Sequence, residues 1–185
     1  DSLEGREGEC DYIFIAVNAP ATVQYLRDNG AKISKNCVVV DCCGVKEAVC
    51  EPCFEIADKY GFTFIGGHPM AGRELSGYDA SQADLFFNAS MILTDLPEEL
   101  TPCLTVFFKT LGFARIQKST PEEHDHIIAY TSQLAHITSS AYVKSPEAQR
   151  RRGFSAGSFK DMTRVARLDE DMWTELFLLN ADYLT

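Results

Sequence analysis

An α/β fold with a mainly parallel sheet, followed by an all-helical part, is what this 185-residue sequence predicts. Three observations carry that expectation. Short runs rich in Val, Ile and Phe recur between residues 11 and 118, more continuously apolar than one face of an open sheet requires. Strands buried on both faces read this way. Stretches with helical spacing alternate with them, and that alternation builds parallel sheets. After Ser119 the strand pattern stops and only helical periodicity remains.

The elements follow in order. Residues 11–17, Asp-Tyr-Ile-Phe-Ile-Ala-Val, read as the first buried strand. Residues 20–29 carry Val23 and Leu26 on one face, with Gly30 just beyond as a stop, and read as a short helix. Cys37-Val38-Val39-Val40 is the second strand and runs into a turn at Asp41. A helix over 46–60 closes at Gly61, and 62–65 is the third strand. Ser90-Met91-Ile92-Leu93-Thr94 is the fourth strand, 97–111 a helix stopped by Gly112, and 114–118 a shorter fifth strand. A long helix is expected over 121–143, with Ser119 or Thr120 as N-cap and Glu122 and Glu123 in the first turn. Residues 146–167 and 170–184 read as further helices, and the domain boundary falls between 1–119 and 120–185.

Composition narrows the function classes. With 45% hydrophobic and 24% charged residues, this is the make-up of an ordinary globular enzyme. No apolar run approaches the roughly 20 residues of a membrane-spanning helix. A net charge of -10 argues against general nucleic-acid binding. The one basic cluster, Gln149-Arg150-Arg151-Arg152, is a solvated helix end or an anion contact near a substrate. The polar amino end is no secretory signal and lacks an initiator Met, as in a processed or truncated chain. Seven cysteines fit a reducing, cytoplasmic setting. Cys50-Glu51-Pro52-Cys53 imitates a zinc or redox motif, but no second pair completes a tetrahedral site, so no metal is expected. Both cysteines fall on one face of their helix and read first as structural thiols, with zinc and redox roles left open.

The most informative stretch is Gly66-Gly67-His68-Pro69-Met70-Ala71-Gly72-Arg73-Glu74, directly after the third strand. Ligands of open α/β sheets bind at the carboxyl ends of the strands, and imidazole transfers protons near neutral pH. Two later segments join it. One is Glu123-His124-Asp125-His126 leading through Gln133 to His136; the other runs from Ala156 through Lys160-Asp161-Met162-Thr163-Arg164, followed by Trp173 and Asn180. With the turn Asp41-Cys42-Cys43-Gly44-Val45-Lys46, these segments in this order resemble the prephenate dehydrogenase family, which includes arogenate dehydrogenases. The resemblance runs from about Asp11 to the last residue.

That resemblance implies a Rossmann-like dinucleotide-binding domain followed by a helical dimerisation domain. It places residues 11–17 at the fourth strand, so the first mononucleotide half is expected to be missing here. No Gly-x-Gly-x-x-Gly occurs in the chain, in keeping with that. The helical domain is likewise expected to be truncated. The implied activity is oxidative decarboxylation of prephenate or arogenate with NAD or NADP in tyrosine biosynthesis, by a homodimer, with tyrosine feedback in some members. His68 matches the family's proton acceptor and Arg164 its carboxylate-binding arginine. His136 matches a histidine that contacts the substrate. Lys160, Asp161 and Glu74 fall at positions that line or gate the site, and Gln133 replaces a histidine found in some members. Ala16, Val17, Asn18, Asp41 and Gly44 are expected along the cofactor.

On the residues alone, bland readings stand beside these. His136 reads as a satisfied core histidine, Arg164 as half of a surface ion pair with Asp161 or Asp169, and His124 and His126 as structural. Gly44 departs from the family, which has a serine there that helps hold the substrate hydroxyl; its loss is worth on the order of 1–3 kcal/mol. This departure favours a rival, a non-catalytic module that keeps a prephenate or tyrosine pocket. A second rival is a related hydroxyacid or imine dehydrogenase.

Overall fold

The computed structural model describes residues 5–72 and 77–185. The chain divides into two compact units, Asp1–His124 and Asp125–Thr185. In the first, the apolar runs become β1 (Tyr12–Ile15), β2 (Val38–Asp41), β3 (Thr63–Pro69), β4 (Ser90–Thr94) and β5 (Arg115–Ser119). They lie side by side in that order. Helices α1 (Ala19–Asn29), α2 (Glu47–Tyr60) and α3 (Thr101–Thr110) form the connections β1–β2, β2–β3 and β4–β5, and each of those pairs is parallel. The pair β3–β4 is antiparallel. Among the described residues its connection holds only a short 3₁₀ turn, Tyr78–Ala80, and a direct return of that kind gives an antiparallel neighbour.

β3 changes partner along its length, and this sets up the site. Thr63, Phe64 and Ile65 pair with Val38, Val39 and Val40, whereas Gly66 to Pro69 pair with Thr94 to Met91. Every residue of β2 is buried, as its unbroken apolar sequence requires. Alternate residues face opposite layers. Val38, Val40 and Ile65 join Met91, Leu93, Leu104, Phe108 and Phe113 in one core, while Phe64 meets Phe54 of α2 edge-on. At the sheet margin, Tyr12 and Phe14 of β1 stack on Phe107 and stay 41% and 38% exposed. Asn18 caps α1 through the amide of Ala21 at 2.9 Å, and Gly61, at φ 87°, ends α2.

The helix expected over 121–143 starts as α4 (Pro121–Ile128), capped by Thr120, whose Oγ1 accepts from the Glu123 amide at 3.1 Å. It passes through a π-helical stretch, Ala129–Gln133, into α5 (Leu134–Lys144). The expectation of one helix over 146–167 needs correction. α6 (Pro146–Gln149) and α7 (Gly157–Arg164) are separated by residues 150–156, where Gly153 takes φ 82°. The last helix also divides, into α8 (Glu170–Leu179) and α9 (Ala181–Leu184), at Asn180. That asparagine donates to Asp125 O at 3.0 Å and to Gln133 Oε1 at 2.7 Å, so a buried amide ties three segments of the helical unit together. Among the described residues no helix is long and apolar enough to cross a membrane.

Candidate active site

The parallel strands β1, β2 and β3 end on one edge of the first unit. The segments that leave them are Ala16–Asn18, residues 42–46 and the tail of β3 that carries His68. Two glycines bring that tail in. A Cβ on Gly67 would collide with Asp41 O and approach Val40 Cγ1 to 2.8 Å; one on Gly66 would collide with Thr94 Oγ1 and approach Cys50 Sγ to 2.6 Å. Only glycine permits this closeness.

Beneath the edge lies a buried ion pair. Asp41 and Lys46 are both fully buried, and Lys46 Nζ donates to Asp41 Oδ2 and, at 2.6 Å, to Gly67 O. Asp41 Oδ1 accepts from the Gly67 amide at 2.9 Å, and Oδ2 also accepts from the Cys43 amide at 2.8 Å. The pair therefore clamps the turn after β2 to the peptide unit next to His68. Both carboxylate oxygens of Asp41, a residue expected along the cofactor, are thus engaged inside the fold.

His68 is half-buried, and its Nδ1 lies 2.8 Å from His124 Nε2, with ring centroids 5.1 Å apart. Burial first, then His124 and the Lys46 ammonium, push its pKa down to about 3. At neutral pH the ring is uncharged, the form that can accept a proton. The sequence reading gave His124 no part in the site and read it as structural. It is 2% exposed in α4 and reaches a partner 56 residues away, for which no local pattern is a signal.

Ala16, Val17 and Asn18 are exposed, Val17 by 51%. Asn18 uses its side-chain oxygen to cap α1, and Val17 O receives the Cys43 thiol at 3.4 Å. Gly44 is half-buried in the turn after β2. With Asp41 and Lys46 neutralising one another below, Ala16 and Val17 make a small-residue, uncharged shelf. Such a surface fits the apolar face of a nicotinamide ring.

Cys50 and Cys53 are buried in α2, and burial pushes both thiols up to about 12. Cys50 Sγ sits 3.5 Å from Thr94 Oγ1. Thiols held protonated in this way pack as small apolar groups.

In the helical unit, His136 Nδ1 donates to Val165 O at 2.9 Å, which leaves Nε2 as its second nitrogen. Its ring lies 3.7 Å from that of Trp173. One turn further along α5, Ser139 Oγ donates to Met162 O. These two bonds fix the end of α7 beside α5 and so bring Arg164 and His136 into one neighbourhood. Arg164, Lys160 and Asp161 are exposed on α7. Gln133 does not join them: it is 2% exposed, accepting from Asn180 and donating to Leu176 O at 3.4 Å. Expected to meet the substrate, Gln133 braces the helical unit through these bonds. Glu74 lies outside the described residues.

Residues 5–114 match the family model described as "Prephenate dehydrogenase, nucleotide-binding domain", and residues 120–185 match "Prephenate dehydrogenase, dimerization domain". The cyclohexadienyl dehydrogenase of Zymomonas mobilis is 30% identical over all of this chain, which spans 65% of that protein. Among solved structures, the prephenate dehydrogenase of A. aeolicus in complex with hydroxyphenyl propionate and NAD+ superposes with a TM-score of 0.82 at 26% identity, over 99% of this chain and 66% of its own. Synechocystis arogenate dehydrogenase gives a TM-score of 0.79 at 27% identity, over 95% and 65%. With family models matched across both units, the chain belongs to the prephenate dehydrogenase family.

Proposed function

We propose that the protein oxidises prephenate to 4-hydroxyphenylpyruvate with loss of carbon dioxide, using NAD or NADP, as a step of tyrosine biosynthesis. The observation that carries this reading is a neutral histidine, His68, at the carboxyl edge of a parallel sheet, above a buried clamp that restricts its backbone. The nicotinamide dinucleotide, when bound, supplies the hydride acceptor. Ala16, Val17, Asn18 and Gly44 are the residues that would hold its nicotinamide end. His68 accepts the proton of the substrate hydroxyl as the ring carbonyl forms. Arg164 holds a substrate carboxylate through paired hydrogen bonds, with Lys160 and Asp161 on the same helix, and Glu74 keeps the gating role that the resemblance implies. His136, its Nδ1 committed to Val165 O, presents Nε2 to the substrate or to a feedback tyrosine.

The family match to a dimerisation domain supports a homodimer. All seven cysteines are free, which supports a cytoplasmic setting. Similarity to the arogenate enzyme of Synechocystis makes arogenate the second substrate to assay.

The test is His68→Asn in the product of the whole reading frame. Turnover of prephenate should fall roughly 10²–10⁴-fold, with KM within a few-fold. A variant that keeps more than about a third of wild-type turnover overturns the reading.

A further inference from the structure

His124 stands at the edge beside His68, and the proposed reaction gives it no role. The contact between His68 Nδ1 and His124 Nε2, at 2.8 Å, is a hydrogen bond that holds a single proton. Either His68 donates and its Nε2 is a bare acceptor, or His124 donates and His68 Nε2 carries the ring's hydrogen. These alternatives have opposite chemistry at the nitrogen left for a substrate. In the second, His68 has no lone pair with which to take a proton.

We propose that His124 is a positioning residue that accepts from His68 Nδ1–H, holds His68 in the tautomer with a bare Nε2, and fixes the plane of its ring. His124 suits that task because it is 2% exposed and rooted in the first turn of α4. There its own amide donates to Thr120 O at 2.9 Å, and the Thr120 hydroxyl caps the following turn through Glu123. A buried ring on a helix turn fixed in this way imposes direction on a partner carried by a strand tail.

The proton balance is simple. The substrate O–H bond breaks and a His68 Nε2–H bond forms, giving an imidazolium whose Nδ1–H still points at His124 Nε2. That hydrogen bond becomes charge-assisted and strengthens as the charge develops. Burial, the His124 ring and the Lys46 ammonium all oppose a charged His68 at rest, so the imidazolium is short-lived and the hydrogen bond serves first to fix the tautomer and the ring plane. The orienting role resembles in logic that of the third member of a catalytic triad.

This inference rests on His68 being the proton acceptor, so the experiment has two arms. The first needs no activity: ¹⁵N-labelled histidine in the 185-residue chain, where NMR distinguishes the N–H from the bare nitrogen of each neutral ring. The expected result is Nδ1–H with a bare Nε2 for His68. The opposite tautomer, or an average of both, overturns the proposal. The second arm compares His124→Leu with His124→Gln, whose Oε1 can accept the same bond. Leucine should lower kcat roughly 10–100-fold with KM within about twofold, and glutamine should restore most of the loss. Normal kcat for His124→Leu beside a dead His68→Asn refutes the role of His124 alone. An active His68→Asn refutes the proton-acceptor reading itself. Should His124→Leu fail to fold, the spectrum of the wild-type chain still decides.

Discussion

Replacing Lys46 with methionine tests whether the buried ion pair holds the site together. The change keeps most of the side-chain volume and removes the ammonium that binds both Asp41 and Gly67 O. Both charged groups are fully buried, so the carboxylate left behind has no solvent to fall back on. Orphaning one member of such a pair costs about 3–5 kcal/mol. Asp41 keeps the amides of Cys43 and Gly67, which places the expected loss near the lower end, about 3 kcal/mol. At a urea slope of about 1–3 kcal/mol per molar, the midpoint should drop by roughly 1–3 M. Far-UV circular dichroism in urea measures this directly. The double variant Asp41→Asn/Lys46→Met, with no unpaired charge, should recover more than half of the loss. Because the Lys46 ammonium helps to push His68 down, the histidine should titrate higher in Lys46→Met, which an NMR titration would detect. A single variant within about 1 kcal/mol of wild type would refute the clamp.

Three further outcomes follow from the same geometry. Gly67→Ala should destabilise by at least about 1–3 kcal/mol, because its Cβ meets backbone at Asp41 O and not a flexible side chain; an unchanged urea midpoint contradicts this. Arg164→Ala should raise KM for prephenate by about 2–4 kcal/mol of lost binding, and an unaltered KM in a folded variant returns Arg164 to a surface role. His68 titrates near 3 when folded and near 6.5 when unfolded, so the unfolded chain binds the extra proton between those values. Stability from this residue is therefore intact above about pH 6.5 and falls with acidification towards pH 3, by up to about 1.4 kcal/mol per pH unit. His68→Asn should flatten that slope, and equal slopes in the two proteins count against a buried neutral imidazole.

The strands were legible because short runs of β-branched and aromatic residues recur between helical stretches, most completely in β2, where every residue is buried. Helix ends at Gly61 and Thr120 were legible because capping depends on one or two neighbouring residues. The pairing of His68 with His124 was not, since it joins residues far apart in sequence and depends on where two elements land. The π-helical stretch before Leu134 was hidden for a related reason. Its residues have the same local preferences as an α-helix, and Gln133 gains its partner only when Asn180 packs against it. The break over residues 150–156 had a visible trace in Gly153, which the arginine-rich helical pattern outweighed. The ion pair of Asp41 with Lys46 was not legible, because a carboxylate at the end of a strand looks the same in sequence whether it faces ligand or lysine.

The antiparallel pairing of β3 with β4 has an architectural consequence. A parallel neighbour would have required the chain after Pro69 to cross back over the sheet before resuming. Instead the span 70–89 departs from the rim beside His68 and comes back to that rim to begin β4. Its length is thus uncoupled from the hydrogen-bonding ladder, so that insertions there leave strand register undisturbed.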